Sequence, residues 1–185
     1  MTFRKRLNLT DLNGRNGFVI NGIDEDDYLG SYVNGAGDIY DGFSDLIISA
    51  VGDRPKPNNY NGQAGGTYVI LGAKRGFGPA LELSELDGDN GFVLNGSSEY
   101  NYSGFYASSS CTSNGAGDIN GDGFDDFLIG DTNTHPRYGE RYGAPSYVVF
   151  GNNKGFKASL DVGSSKRTRQ QVIVGLDTDA VSCIA

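Results

Sequence analysis

Residues 115–130 read GAGDINGDGFDDFLIG. Oxygen-bearing side chains stand at Asp118, Asn120, Asp122 and Asp126, the first, third, fifth and ninth places of a tight loop. Alternating places in such a loop point inward together. Gly121 and Gly123 let the backbone curl, including through positive φ. Phe124 offers its carbonyl at the seventh place. Asp126 opens the apolar run FLIG, which reads as a buried strand. A hard cation that takes six to eight oxygens at flexible geometry suits this donor set, and calcium suits it better than magnesium, which demands a smaller octahedral cage.

The spacing begins like an EF-hand loop. The twelfth place, however, is Ile129 where that loop needs a bidentate Glu, and strand-like runs flank the segment on both sides. The EF-hand is therefore excluded. The competing reading is an Asx-rich hairpin turn, because Asp, Asn and Gly favour turns without any ion.

Working outward, the same segment occurs earlier in a shorter form. NGAGDI recurs at 34–39 and 114–119, and DGFSD at 41–45 answers DGFDD at 122–126. LNLTDLNGRNGFVING at 7–22 answers LELSELDGDNGFVLNG at 81–96 without a gap. GTYVILG at 66–72 answers PSYVVFG at 145–151. A third copy starts at residue 160, where Val172, Ile173 and Gly175 fall on Val19, Ile20 and Gly22. The expected organisation is a first repeat over 1–80, a second over 81–159, and a truncated start of a third over 160–185. Self-similarity at a fixed period marks repeat architectures.

Short aromatic and β-branched runs at 17–21, 45–50, 67–72, 91–95, 126–130 and 146–151, bounded by Gly, Asn or Asp, read as strands. No sustained 3.6-residue apolar period occurs, so little helix is expected. The fold class is all-β. A repeat of about four short antiparallel strands is one β-propeller blade. Two such repeats and part of a third make a partial propeller: a fragment or truncated product, a chain whose copies assemble, or a marginal array.

The chain has 185 residues, 29 of them Gly, and a net charge of −8. The sequence pI is about 4.5. Nothing in that balance would neutralise phosphates, so nucleic acid is excluded as a partner. No apolar run reaches transmembrane length, and no apolar segment follows the basic MTFRKR start as a signal peptide would require. Cys111 and Cys183 sit at unmatched repeat positions and specify no disulfide.

The quoted motifs resemble the FG-GAP repeat of integrin α-subunit propellers, and most of all the tandem FG-GAP repeats of bacterial proteins. The resemblance covers nearly the whole chain, and the Asp-rich loop is its most specific part. It implies a seven-bladed β-propeller with calcium in hairpin loops on one face. It also implies an extracellular or cell-surface location, with a role in adhesion or ligand binding. A protein or glycan ligand, and further blades from the same or another chain, are the implied partners.

There are departures from that pattern. The first loop reads Asp38-Ile-Tyr-Asp41-Gly-Phe43-Ser-Asp45, one residue short, with Tyr40 in place of an Asn-Gly pair. Asp38, Asp41, Asp45 and the Phe43 carbonyl remain as donors. This site is expected to be the weaker of the two, since ligand count and rigidity set affinity. The Gly-Ala-Pro part of the family motif is lost at 48–53 and 129–134.

The leading expectation is a calcium-binding, non-enzymatic segment. Alternatives are the propeller part of a polysaccharide- or lipid-acting enzyme, and a lectin-like sugar binder. His135 is the single histidine and has no partner at usable spacing. Ser108 to Ser110 lack nucleophile-elbow glycines. Asp24 to Asp27 read as a solvated turn. Tyr100, Tyr102, Tyr106, Tyr138 and Tyr142 crowd the loops of the second repeat and read as packing or as a binding face. Arg54 and Lys56 match Arg137 and Arg141 in position and could meet an acidic ligand on one rim.

Overall fold

A computed structural model of the chain describes residues 8–25, 27–50, 65–95, 113–130 and 146–161. Ten strands run through them: β1 (Val19–Asn21), β2 (Leu29–Gly37), β3 (Asp45–Ala50), β4 (Gly66–Ile70), β5 (Ala80–Glu82), β6 (Gly91–Asn95), β7 (Ser113–Gly117), β8 (Asp126–Gly130), β9 (Ser146–Val149) and β10 (Ser159–Asp161). Two 3₁₀ turns, Leu9–Asp11 and Leu83–Glu85, complete the set, with no α-helix among the described residues. The protein is mostly β, with antiparallel sheets. Its sheets stay open, and the described residues form neither a closed barrel nor a closed propeller.

The first large sheet has the order β10-β6-β4-β3-β2. Its strands β2, β3, β4 and β6 are antiparallel neighbours, and β10 is added in parallel beside β6. The second sheet is β7-β8-β9, antiparallel throughout. A short parallel pair, β1 with β5, stands apart. That pair is the counterpart of β6 with β10: Val19 faces Ala80 as Ser159 faces Val93.

The repeated sequence folds as a repeated structure down to single hydrogen bonds. Asn16 Nδ2 donates to Asp11 O at 2.9 Å, and Asn90 Nδ2 donates to Glu85 O at 2.9 Å. Gly14 N–H donates to Gly17 O at 2.9 Å, as Gly88 N–H does to Gly91 O. Gly88 lies at φ 100°, where a Cβ would come within 2.4 Å of Phe156 O. Only glycine closes that turn beside the next segment.

Sequence unit and sheet unit are out of phase. GFVLN (β6) opens the second sequence repeat, yet it pairs with β4 and completes the sheet built from the first, with Val93 opposite Tyr68 and Phe92 opposite Val69. Side chains alternate between faces along each strand. Ile47, Val69 and Phe92 therefore share one face, while Ile48, Tyr68 and Val93 share the other.

The core lies between the two large sheets. Ile47, Val69, Phe92 and Leu94 pack with Phe127, Ile129, Tyr147 and Val149, all buried. Phe92 stacks on Phe156 with ring centroids 4.3 Å apart. Full burial of each such side chain is worth about 1.5–3 kcal/mol. The opposite face of the first sheet forms a second cluster: Ile48, Tyr68, Ile70 and Leu83 pack with Ile20, Phe77 and Leu81. Gly115 lets β7 approach β2 closely, for a Cβ there would lie 2.9 Å from Ala36 O. This packing places the two Asp-rich loops side by side.

Candidate metal centre

Both loops join a glycine-rich strand to a buried one, β2 to β3 and β7 to β8. In the longer loop every predicted side-chain donor is engaged. Asp118 Oδ1 accepts from the N–H groups of Gly121 (2.7 Å) and Asp122 (3.0 Å), and its Oδ2 accepts from Gly123 N–H at 2.9 Å. Asn120 Oδ1 accepts from Asp122 N–H at 2.9 Å, while Asn120 Nδ2 donates to Asp122 Oδ2 at 3.0 Å. Asp122 Oδ1 accepts from Phe124 N–H at 3.0 Å. These three side chains are exposed, and Phe124 is half-buried.

Asp126 has a different task. It is fully buried, and its two oxygens accept from Ile119 N–H at 2.8 Å and Gly151 N–H at 3.0 Å. The carboxylate ties the start of the loop to the segment that follows β9. Asp45 repeats this in the shorter loop, accepting from Ile39 N–H at 2.9 Å and Gly72 N–H at 2.7 Å at 1% exposure. Burial raises the Asp45 pKa from 3.8 to about 6. The two backbone hydrogen bonds oppose the shift, and the charges of Asp41 and Asp38 add to it.

The rest of the shorter loop is a reduced version of the longer one. Asp38 Oδ1 accepts from Gly42 N–H at 2.8 Å and Tyr40 N–H at 3.4 Å. Asp41 Oδ1 accepts from Phe43 N–H at 3.3 Å. Asp41 and Phe43 are exposed, and Asp38 is half-buried. Tyr40 sets its ring edge-on to Phe156, centroids 6.4 Å apart, and packs against the core between the sheets.

Backbone amides serve these carboxylates, because the curled chain turns successive N–H groups toward Asp118 and Asp122. Among the described residues no group of three or more His, Cys, Asp or Glu side chains is gathered so as to hold a metal. Asp126 and Asp45 are buried, each with both carboxylate oxygens on backbone N–H groups. The exposed oxygens of Asp118, Asn120 and Asp122 form the part of the donor set that suits a hard cation, since Asp118 Oδ2, Asn120 Oδ1 and both Asp122 oxygens each accept one hydrogen bond and keep further acceptor capacity.

Asp125, which sequence reasoning did not single out, links the two loops. Its Oδ2 accepts from Asp38 N–H at 2.9 Å and its own N–H donates to Asp38 O at 2.8 Å. Asn152 N–H donates to Ile39 O at 3.0 Å alongside. The available signal was the second Asp of DGFDD, where the first repeat has Ser44. Asp27 also departs from the solvated turn expected for residues 24–27: it is buried, and its Oδ2 accepts from Asp24 N–H at 2.7 Å.

His135, Cys111, Cys183, Ser108 to Ser110, Tyr100, Tyr102, Tyr106, Tyr138, Tyr142, Arg54, Lys56, Arg137 and Arg141 lie outside the described residues, as does most of the third repeat. No helix among the described residues is long and apolar enough to cross a membrane. Comparison with models of protein families, with curated proteins and with solved structures gave no match.

Proposed function

We propose that this chain is a calcium-binding, non-enzymatic segment of β-propeller repeats that serves adhesion or extracellular ligand recognition. Each sheet of the array would be a blade. One observation carries the reading: Asp118, Asn120 and Asp122 stand exposed in a loop whose backbone hydrogen bonds already hold the curl that an all-oxygen cation site requires. Because the amides preform this curl, little ordering remains when an ion arrives. The ion would supply fixed positive charge at the tip of the hairpin. The chain's part is to hold the side-chain oxygens of Asp118, Asn120 and Asp122 there, with the Phe124 carbonyl as a further donor. The shorter loop, with Asp38 and Asp41, is the weaker second site.

A calcium titration by calorimetry, with thermal unfolding followed in parallel, tests this on wild type, Asp122→Ala and Asp41→Ala. Binding heat that loses one site in Asp122→Ala, with the calcium-dependent rise in melting reduced, supports the reading. Loss of a second site in Asp41→Ala extends it to the shorter loop. No heat and no melting shift in wild type would leave both loops as turns and remove the calcium reading.

A further inference from the structure

The shorter loop leans on the longer one. Two backbone hydrogen bonds reach it from the second repeat: Asp125 N–H donates to Asp38 O at 2.8 Å, and Asn152 N–H donates to Ile39 O at 3.0 Å. Asp38 N–H donates in return to Asp125 Oδ2 at 2.9 Å. The fit requires glycine on both sides. A Cβ on Gly37 would overlap Asp125 Oδ2, and one on Gly151 would overlap Asp125 O and Ile39 O. The shorter loop uses this support. Asp38 accepts from two N–H groups of its own loop, Gly42 and Tyr40, where Asp118 accepts from three.

The junction is continuous with the donor set of the longer loop. The Phe124 carbonyl and the Asp125 N–H belong to one peptide unit. Asp38 O, which accepts from that N–H, shares its own peptide unit with Ile39 N–H, and Ile39 N–H donates to the buried Asp45 Oδ2 at 2.9 Å. Two peptide units in series therefore connect the longer loop to the carboxylate that closes the shorter one. Hydrogen bonds in such a chain polarise one another and strengthen together. When the Phe124 carbonyl is polarised, Asp125 N–H becomes a stronger donor, and Ile39 N–H follows.

We infer that the longer loop governs the shorter one: a cation held by Asp118, Asn120, Asp122 and the Phe124 carbonyl tightens the shorter loop through the Asp125–Asp38 junction, whether or not the shorter loop takes an ion of its own. The inference rests on the calcium reading of the longer loop. Coupling is reciprocal, so the junction also raises that loop's affinity. Asp125 is thereby a positioning residue, which acts through Asp38 and stands outside the donor set.

Calcium titration of the full chain, followed by amide NMR and calorimetry, tests this. Asp41→Ala is the background, so that no ion held by Asp41 contributes. There calcium should shift the Asp125 and Ile39 amide protons downfield with the same midpoint as Gly121. Adding Asp122→Ala should abolish all three shifts. Asp125→Asn and Asp125→Ser both remove a charge, but only Asn keeps an amide oxygen to accept from Asp38 N–H. The Ser variant should show a smaller Ile39 shift and bind calcium on the order of fivefold more weakly than the Asn variant. Circular dichroism confirms folding. Should Asp125→Ser not fold, the Ile39 shift in the Asp41→Ala background decides alone. A Gly121 response with none at Ile39 overturns the coupling and leaves the calcium reading standing, and so does equal affinity in the Asn and Ser variants. No response at any of the three amides, with no heat, overturns both.

Discussion

Asp38 and Asp125 are joined twice: Asp125 N–H donates to Asp38 O at 2.8 Å, and Asp38 N–H donates to Asp125 Oδ2 at 2.9 Å. The pair pins one Asp-rich loop to the other across the two sheets. Removing the carboxylate leaves Asp38 N–H without that acceptor. Asp125→Ala is expected to lower stability by about 1.5–3 kcal/mol, the usual range for a hydrogen bond to a charged group. Urea denaturation reads this directly. A variant as stable as wild type would mean the carboxylate contributes nothing to the junction.

The Asp45 carboxyl gives a pH dependence of known sign. Its folded-state pKa is raised from 3.8 to about 6 by burial. A raised acid pKa means the folded state binds the proton more tightly, so this group favours folding as pH falls from about 6 towards 3.8. Asp45→Asn lacks that titration. In chelator-treated protein the stability difference between wild type and Asp45→Asn should shift in favour of wild type across that window on acidification. Denaturation curves at several pH values check it, because other groups cancel in the difference. A pH-independent difference would contradict the shift.

Two aspartates of the longer loop, one in its middle and one at its end, are expected to separate by role. Asp122 is exposed, so Asp122→Ala should cost the calcium-free protein less than about 1 kcal/mol while removing calcium heat. Asp126 is fully buried on two backbone N–H groups. Asp126→Ala should cost on the order of 3 kcal/mol with or without calcium, because two buried donors lose their acceptor. Chelator titration of wild type completes the set: at a hundredfold excess of calcium over Kd the stabilisation removed is about 2.7 kcal/mol. Equal calcium-free stability of the two variants would refute this division.

Gly88 offers a backbone test. It holds φ 100° with Phe156 O at 2.4 Å from where a Cβ would stand. Gly88→Ala is expected to destabilise by more than about 1 kcal/mol, since left-handed strain and a backbone clash add. Gly121, also at positive φ, has open space around it. Gly121→Ala should therefore cost less, and thermal melts of the pair rank the two effects.

Much of the fold was legible because hydrophobic alternation and repetition are local signals. The runs at 45–50, 91–95 and 126–130 coincide with β3, β6 and β8. β2 was not read as a strand, since LGSYVNGAG carries three glycines and an asparagine and leaves most of its residues exposed. Its identity as a strand comes from pairing with β3 through two register shifts, a tertiary fact. The three-residue β5 and β10 escaped for a similar reason: each exists by parallel pairing with a strand from the neighbouring repeat. At the loops the spacing identified the oxygens but not their partners. Asp45 and Asp126 look like their neighbours in sequence, yet they point to backbone amides of Gly72 and Gly151, which only the folded sheets bring near.

The offset between sequence repeat and sheet bears on how the array comes apart. Since β6 belongs to one repeat and seals the sheet of the other, neither can melt while its neighbour stays whole. Excising residues 81–159 would strip the first sheet of its β4 partner, so cutting at the apparent seam damages both sides. An exchangeable cassette begins with β2 and ends with β6, and the interlocked strand turns a row of similar units into one cooperative transition.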